Sequence, residues 1–103
     1  MSRVIITRSA RASLEDELVR ALADINGKIK TKLGKMIVVE FRHEWPGVEY
    51  TFIEVVPFKL MSDGSLKAIY SDMRTYNKPI YFKNRYGKNK ELLDKIKRFL
   101  QLM

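Results

Sequence analysis

Residues 36–56 read MIVVEFRHEWPGVEYTFIEVV, and the fold turns on how this stretch pairs with itself. Val38, Val39 and Phe41 centre one strand-forming run over 36–45, and a second run covers 48–56. Pro46-Gly47 turns the chain between them. With Trp45 set opposite Val48, Ile37, Val39, Phe41, His43 and Trp45 share a face with Val48, Tyr50, Phe52, Glu54 and Val56. That face is almost wholly apolar and is therefore the core side. Val38, Glu40, Arg42, Glu44, Glu49, Thr51 and Ile53 take the opposite face. This register sets Glu44 against Glu49, and Pro-Gly is not a favoured two-residue hairpin turn, so a longer loop is the alternative. Pro57 marks a bulge or an edge.

Downstream, Asp63-Gly64 is a hairpin turn signal joining 58–61 to 66–70. After a polar loop over 74–79, residues 80–85 read as a last strand. Ile80 and Phe82 point one way, and Tyr81, Lys83 and Arg85 the other. Asn89 then caps a helix over about 90–102 whose apolar face is Leu92, Leu93, Ile96, Phe99 and Leu100.

Upstream, Ser13 reads as the N-cap of a helix over 14–26. Glu15, Asp16 and Glu17 lie in its first turn, and Leu14, Leu18, Leu22 and Ile25 recur at helical spacing. Asn26-Gly27 is its stop. Lys28, Lys30 and Lys32 alternate with Ile29, Thr31 and Leu33, a pattern that fits either a strand or a helical extension ended by Gly34. Residues 3–8 read as a short first strand. The predicted order is β-α-β-β-β-β-α. This is one α+β domain over 1–103, with a mostly antiparallel sheet of four to five strands and a helix at each end.

The 103 residues are 46% hydrophobic and 31% charged, a globular composition. There is no cysteine, which excludes disulfides and thiolate metal sites, and one histidine, so no metal or cofactor is expected. No secretory leader or membrane-spanning run is legible, so a cytoplasmic protein with no membrane partner is expected.

Net charge is +8 and the pI is near 9.8. The signs are segregated. Acids gather on the first helix (Glu15, Asp16, Glu17, Asp24) and the first hairpin (Glu40, Glu44, Glu49, Glu54). Bases gather at Arg3, Arg8 and Arg11, at Lys28, Lys30, Lys32 and Lys35, and along Lys83–Arg98, where only Glu91 and Asp94 oppose them. Clustered cations suit a polyanion, because each neutralised phosphate releases counterions. The third cluster also holds aromatics. Lys59, Tyr70, Tyr81, Lys83, Arg85, Tyr86, Lys88 and Lys90 are the candidate nucleic-acid contacts, with rings to stack bases and cations to follow the backbone.

No catalytic residues emerge. His43 and Glu44 are strand neighbours on opposite faces and form no dyad, so His43 reads as a core-edge residue. Glu54 is aimed at the core face, where a buried carboxylate is suited to acid–base work; the plainer alternatives are a place at a sheet end or pairing with a lysine.

The last strand running into a basic amphipathic helix, over roughly 36–102, resembles single-stranded DNA-binding transcriptional coactivators in element order. The run Tyr81-Phe82-Lys83-Asn84-Arg85-Tyr86 after antiparallel strands resembles RelE-type ribosome-dependent ribonuclease toxins. That resemblance implies Lys83, Arg85 and Tyr86 as metal-independent catalytic candidates. The favoured reading is a non-enzymatic binder of nucleic acid, single-stranded DNA or RNA. The alternatives are such a ribonuclease or a protein-interaction module built on the acidic segments. A second copy of the chain is a further candidate partner.

Overall fold

A computed structural model describes residues 2–44, 47, 49, 51–69 and 81–103, with side chains from residue 10 onward. Its order is α1 (Ser2–Ala23), β1 (Gly27–Leu33), β2 (Met36–His43), β3 (Phe52–Leu60), β4 (Leu66–Ala68), α2 (Tyr81–Tyr86) and α3 (Lys90–Gln101). The four strands form one antiparallel meander, β1-β2-β3-β4, in a small α+β fold with a helix at each end, as the sequence predicts.

The strand expected over 3–8 is instead the start of α1, which runs for 22 residues. No glycine or proline separates 3–8 from the amphipathic stretch that follows. Ala10 and Ala12 are strong helix formers, so the helix propagates upstream. Ser13 consequently lies inside the helix and caps nothing. Leu18 and Leu22 are buried, whereas residues 10–13 are exposed. The stop falls as predicted, with tightened bonds from Ile25 N to Leu22 O and Asn26 N to Ala23 O (both 3.0 Å) and Asn26 at φ 58°.

The ambiguous segment 28–33 is strand β1. It joins β2 through Gly34-Lys35, with Leu33 opposite Met36 and Gly34 at φ 58° in the first turn position. A bulge at Lys30 breaks the ladder between Ile29 and Thr31.

In the β2–β3 hairpin the longer loop wins. His43 faces Phe52 and Phe41 faces Glu54, where the Trp45–Val48 pairing implies Tyr50 and Phe52. Side-chain period is two, so this slip by an even number of residues keeps every side chain on its predicted face. Trp45, Pro46, Val48 and Tyr50 lie outside the described residues. Of the bulge or edge expected at Pro57, no bulge forms, since Pro57 pairs in regular register with Val38 and β3 continues to Leu60. Pro57 O accepts from Ile69 N at 2.9 Å. Its missing N–H faces the same side, so the reciprocal bond to Ile69 cannot form, and β4 has already ended at Ala68.

The Asp63-Gly64 turn forms as predicted. Met61 N donates to Ser65 O (2.8 Å), Gly64 adopts φ 87°, and Asp63 Oδ1 accepts from Ser65 N (2.9 Å) and Ser65 Oγ (2.6 Å). The Ser65 hydroxyl and then its amide hold the Asp63 carboxyl below its ordinary value of 3.8. A depressed acid supports the turn above its unfolded pKa, and that support is lost as pH falls through the folded one. Carboxyl-carbon NMR is expected to place the Asp63 midpoint below 3.8 and to show it rise on Ser65→Ala.

The strand expected over 80–85 is the helix α2. Six residues are too few for alternation to separate strand from helix. The pair Phe82/Tyr86 fits helical i,i+4 spacing, with ring centroids 5.8 Å apart. α1, α2 and α3 all pack on the inner face of the sheet, where Phe41, Phe58, Phe82 and Phe99 fill the centre of the core.

Candidate nucleic-acid interface

α2 and α3 meet at a sharp elbow, Gly87-Lys88-Asn89. Gly87 closes α2 by donating to Lys83 O (3.2 Å), and a Cβ at Gly87 would stand 2.5 Å from that oxygen. Asn89 opens α3, its Oδ1 accepting from Leu92 N at 3.2 Å. Gly87→Ala must push the backbone apart and is expected to cost about 1–3 kcal/mol by overpacking, read by urea denaturation.

Lys83, Asn84, Arg85, Gly87 and Lys88 line an open depression of about 490 Å³ on this elbow, with no carboxylate among the described lining residues. Lys83, Arg85 and Lys88 are exposed, and Lys90 is exposed at the first position of α3. Helical geometry thus gathers three of the predicted contacts, although the shared strand face expected for Tyr81, Lys83 and Arg85 does not exist.

The other predicted contacts go elsewhere. Tyr81 is half-buried, its ring 5.1 Å from His43 and 5.2 Å from Phe52. Tyr86 is half-buried against Phe82. Lys59 stands opposite Lys67 on the helix-free face of the sheet. Tyr70 lies outside the described residues.

Three further lysines are engaged within the fold. Lys35 Nζ donates to Leu100 O (3.2 Å) and Gln101 O (3.1 Å), neutralising the C-terminal carbonyls of α3. Lys32 pairs with Glu15 of α1, and Lys30 lies 4.0 Å from Glu40. Farther along α3 the signs mix, with Glu91 and Asp94 beside Lys97 and Arg98. At the elbow the described lining residues carry three bases and no carboxylate.

No family model, curated protein or solved structure matches the chain. The reading of the site therefore rests on its own geometry.

Sequence reasoning missed one constellation. Glu54, 6% exposed, accepts from His43 Nε2 at 2.8 Å and from Phe82 N at 2.9 Å. His43 is 3% exposed. Glu54 is core-facing as predicted, but its partners are a histidine on β2 and the first turn of α2 rather than a lysine. Glu44, the acid adjacent to His43 in sequence, is exposed and pairs with Arg42 at 3.4 Å. The usable signal was the shared face of His43 and Glu54, which only the correct register makes diagonal neighbours. The pair is sealed from solvent, so the contact it provides is to α2. Among the described residues no three His, Cys, Asp or Glu side chains converge, and no helix is long and apolar enough to cross a membrane.

Proposed function

We propose that this protein binds nucleic acid, with the α2–α3 elbow gripping the backbone of a single strand of DNA or RNA. The observation that carries the reading is the convergence of Lys83, Arg85 and Lys88 in one depression whose described lining holds no carboxylate. Its size admits one sugar-phosphate backbone, and a flexible strand bends into a short concavity more readily than a duplex does. Asn84, also in the lining, has a side-chain amide that can donate beside the cations. The reading assigns binding and no chemistry. With Tyr81 and Tyr86 packed inward, affinity comes from phosphate contacts, and little sequence preference is expected.

Fluorescence anisotropy with labelled single- and double-stranded oligonucleotides tests this. Three phosphate contacts predict a log–log salt slope of about −2, or roughly a 15-fold loss of affinity between 50 and 200 mM salt. The triple variant Lys83→Ala/Arg85→Ala/Lys88→Ala is expected to flatten that slope towards zero. No binding at low salt, or an unchanged slope in the folded triple variant, sinks the reading.

A further inference from the structure

The face of the sheet opposite the helices is not the polar surface that a solvated antiparallel sheet normally presents. The register places Leu33, Met36, Val38, Val55, Pro57 and Ile53 on it, joined by Ile69 beyond β4. Leu33 is 69% exposed, Ile53 and Ile69 48%, and Val55 41%. These residues form a band running obliquely from the β1–β2 turn to the middle of β3. Cations flank it on both sides, with Lys28, Lys30 and Arg42 towards one corner and Lys59 and Lys67 towards the other. Two acids, Glu40 beside Lys30 and Glu44 paired with Arg42, lie on or at the end of this face among the described residues, which leaves Lys28, Lys59 and Lys67 as the cations with no carboxylate beside them among those residues.

We infer that this face docks an acidic amphipathic helix of a partner protein. An apolar ridge flanked by carboxylates complements an apolar band flanked by lysines in both shape and charge. The inner face already shows the arrangement. There α1 lays Leu18 and Leu22 on the sheet while its Glu15 reaches Lys32 at the edge. A second copy is disfavoured by like charge, because this face would meet itself cation to cation. A nucleic acid gains nothing from bare valines and isoleucines. A bilayer takes up apolar groups that project from a helix or loop, whereas this flat face would press its lysines towards the hydrocarbon along with them.

The test is an amide NMR titration of the full chain with a synthetic helical peptide of about five turns, carrying leucines along one stripe and glutamates on both flanks. A scrambled peptide of identical composition, a single-stranded oligonucleotide and phosphatidylglycerol-containing vesicles are titrated in parallel. Saturable shifts over 36–42 and 53–59 are expected with the striped peptide, and at least roughly tenfold weaker binding with the scramble. Ile53→Glu/Val55→Glu, both at exposed positions, is expected to abolish the shifts, while the Lys83/Arg85/Lys88 alanine variant leaves them intact. Equal binding of the scramble, no binding of the striped peptide, or movement of the same amides by vesicles or oligonucleotide overturns the proposal.

Discussion

Phe82→Ala is expected to lower folding stability by about 3–5 kcal/mol, read as a fall in the urea midpoint at unchanged m-value. The ring is fully buried, with centroids 4.6 Å from Phe41 and 5.3 Å from Phe58. Truncation leaves a cavity against three aromatic neighbours that cannot all collapse into it. The total stability of a domain this size is roughly 5–15 kcal/mol, so the variant sits close to its unfolding threshold. The effect extends to the surface. α2 has six residues, far fewer than an isolated helix needs to persist, so its geometry is held by the packing of Phe82. Oligonucleotide affinity is therefore expected to fall even under conditions where the variant remains folded. A midpoint shift worth less than about 1 kcal/mol would show that α2 is held by something else.

Glu54→Leu is expected to cost about 2–4 kcal/mol, because it removes the acceptor shared by a buried histidine and a buried backbone amide. Leucine is close in volume, so the loss reports hydrogen bonding rather than packing. Glu54→Gln keeps an oxygen at the same place and is expected to recover much of the difference. A double-mutant cycle with His43→Phe then isolates the side-chain pair from the contact with Phe82 N. Faster hydrogen exchange at the Phe82 amide in Glu54→Leu would trace the damage into α2. Additive effects in the cycle would count against coupling across the 2.8 Å contact.

The sheet was legible because its signals are local. Alternation along 36–43 and 52–58 sorts core from surface whichever even register holds, and Asp63-Gly64 and Gly34 mark turns that only a few residue types make. The amphipathic repeat and Asn89 likewise mark α3. The misreadings share a different cause. At 3–8, β-branched residues speak for strand, yet the decision belongs to the helix that begins downstream and meets no breaker. At 81–86, alternation and helical spacing both fit, and the tie is broken by a core vacancy for Phe82 and by the Glu54 carboxylate, neither of which is adjacent in sequence. The aromatic half of the candidate site was lost for that reason. Tyr81 and Tyr86 flank a residue that must be buried, and helical geometry carries them inward with it. The cationic half survives because lysine and arginine go to the surface in either conformation.

The bulge at Lys30 bears on colloidal behaviour. Among the described residues the meander has two outer strands, β1 and β4, and an open strand edge is a template on which further copies can stack into aggregates. Here β4 is only three residues long, and β1 carries lysines at 28, 30 and 32 together with a break in its ladder. Any incoming strand would meet repulsion and a register fault along β1 and too short a run along β4. Lys28 and the bulge at Lys30 thus work against stacking of copies along β1, whereas Lys32 and Lys35 are held within the fold by Glu15 and the end of α3.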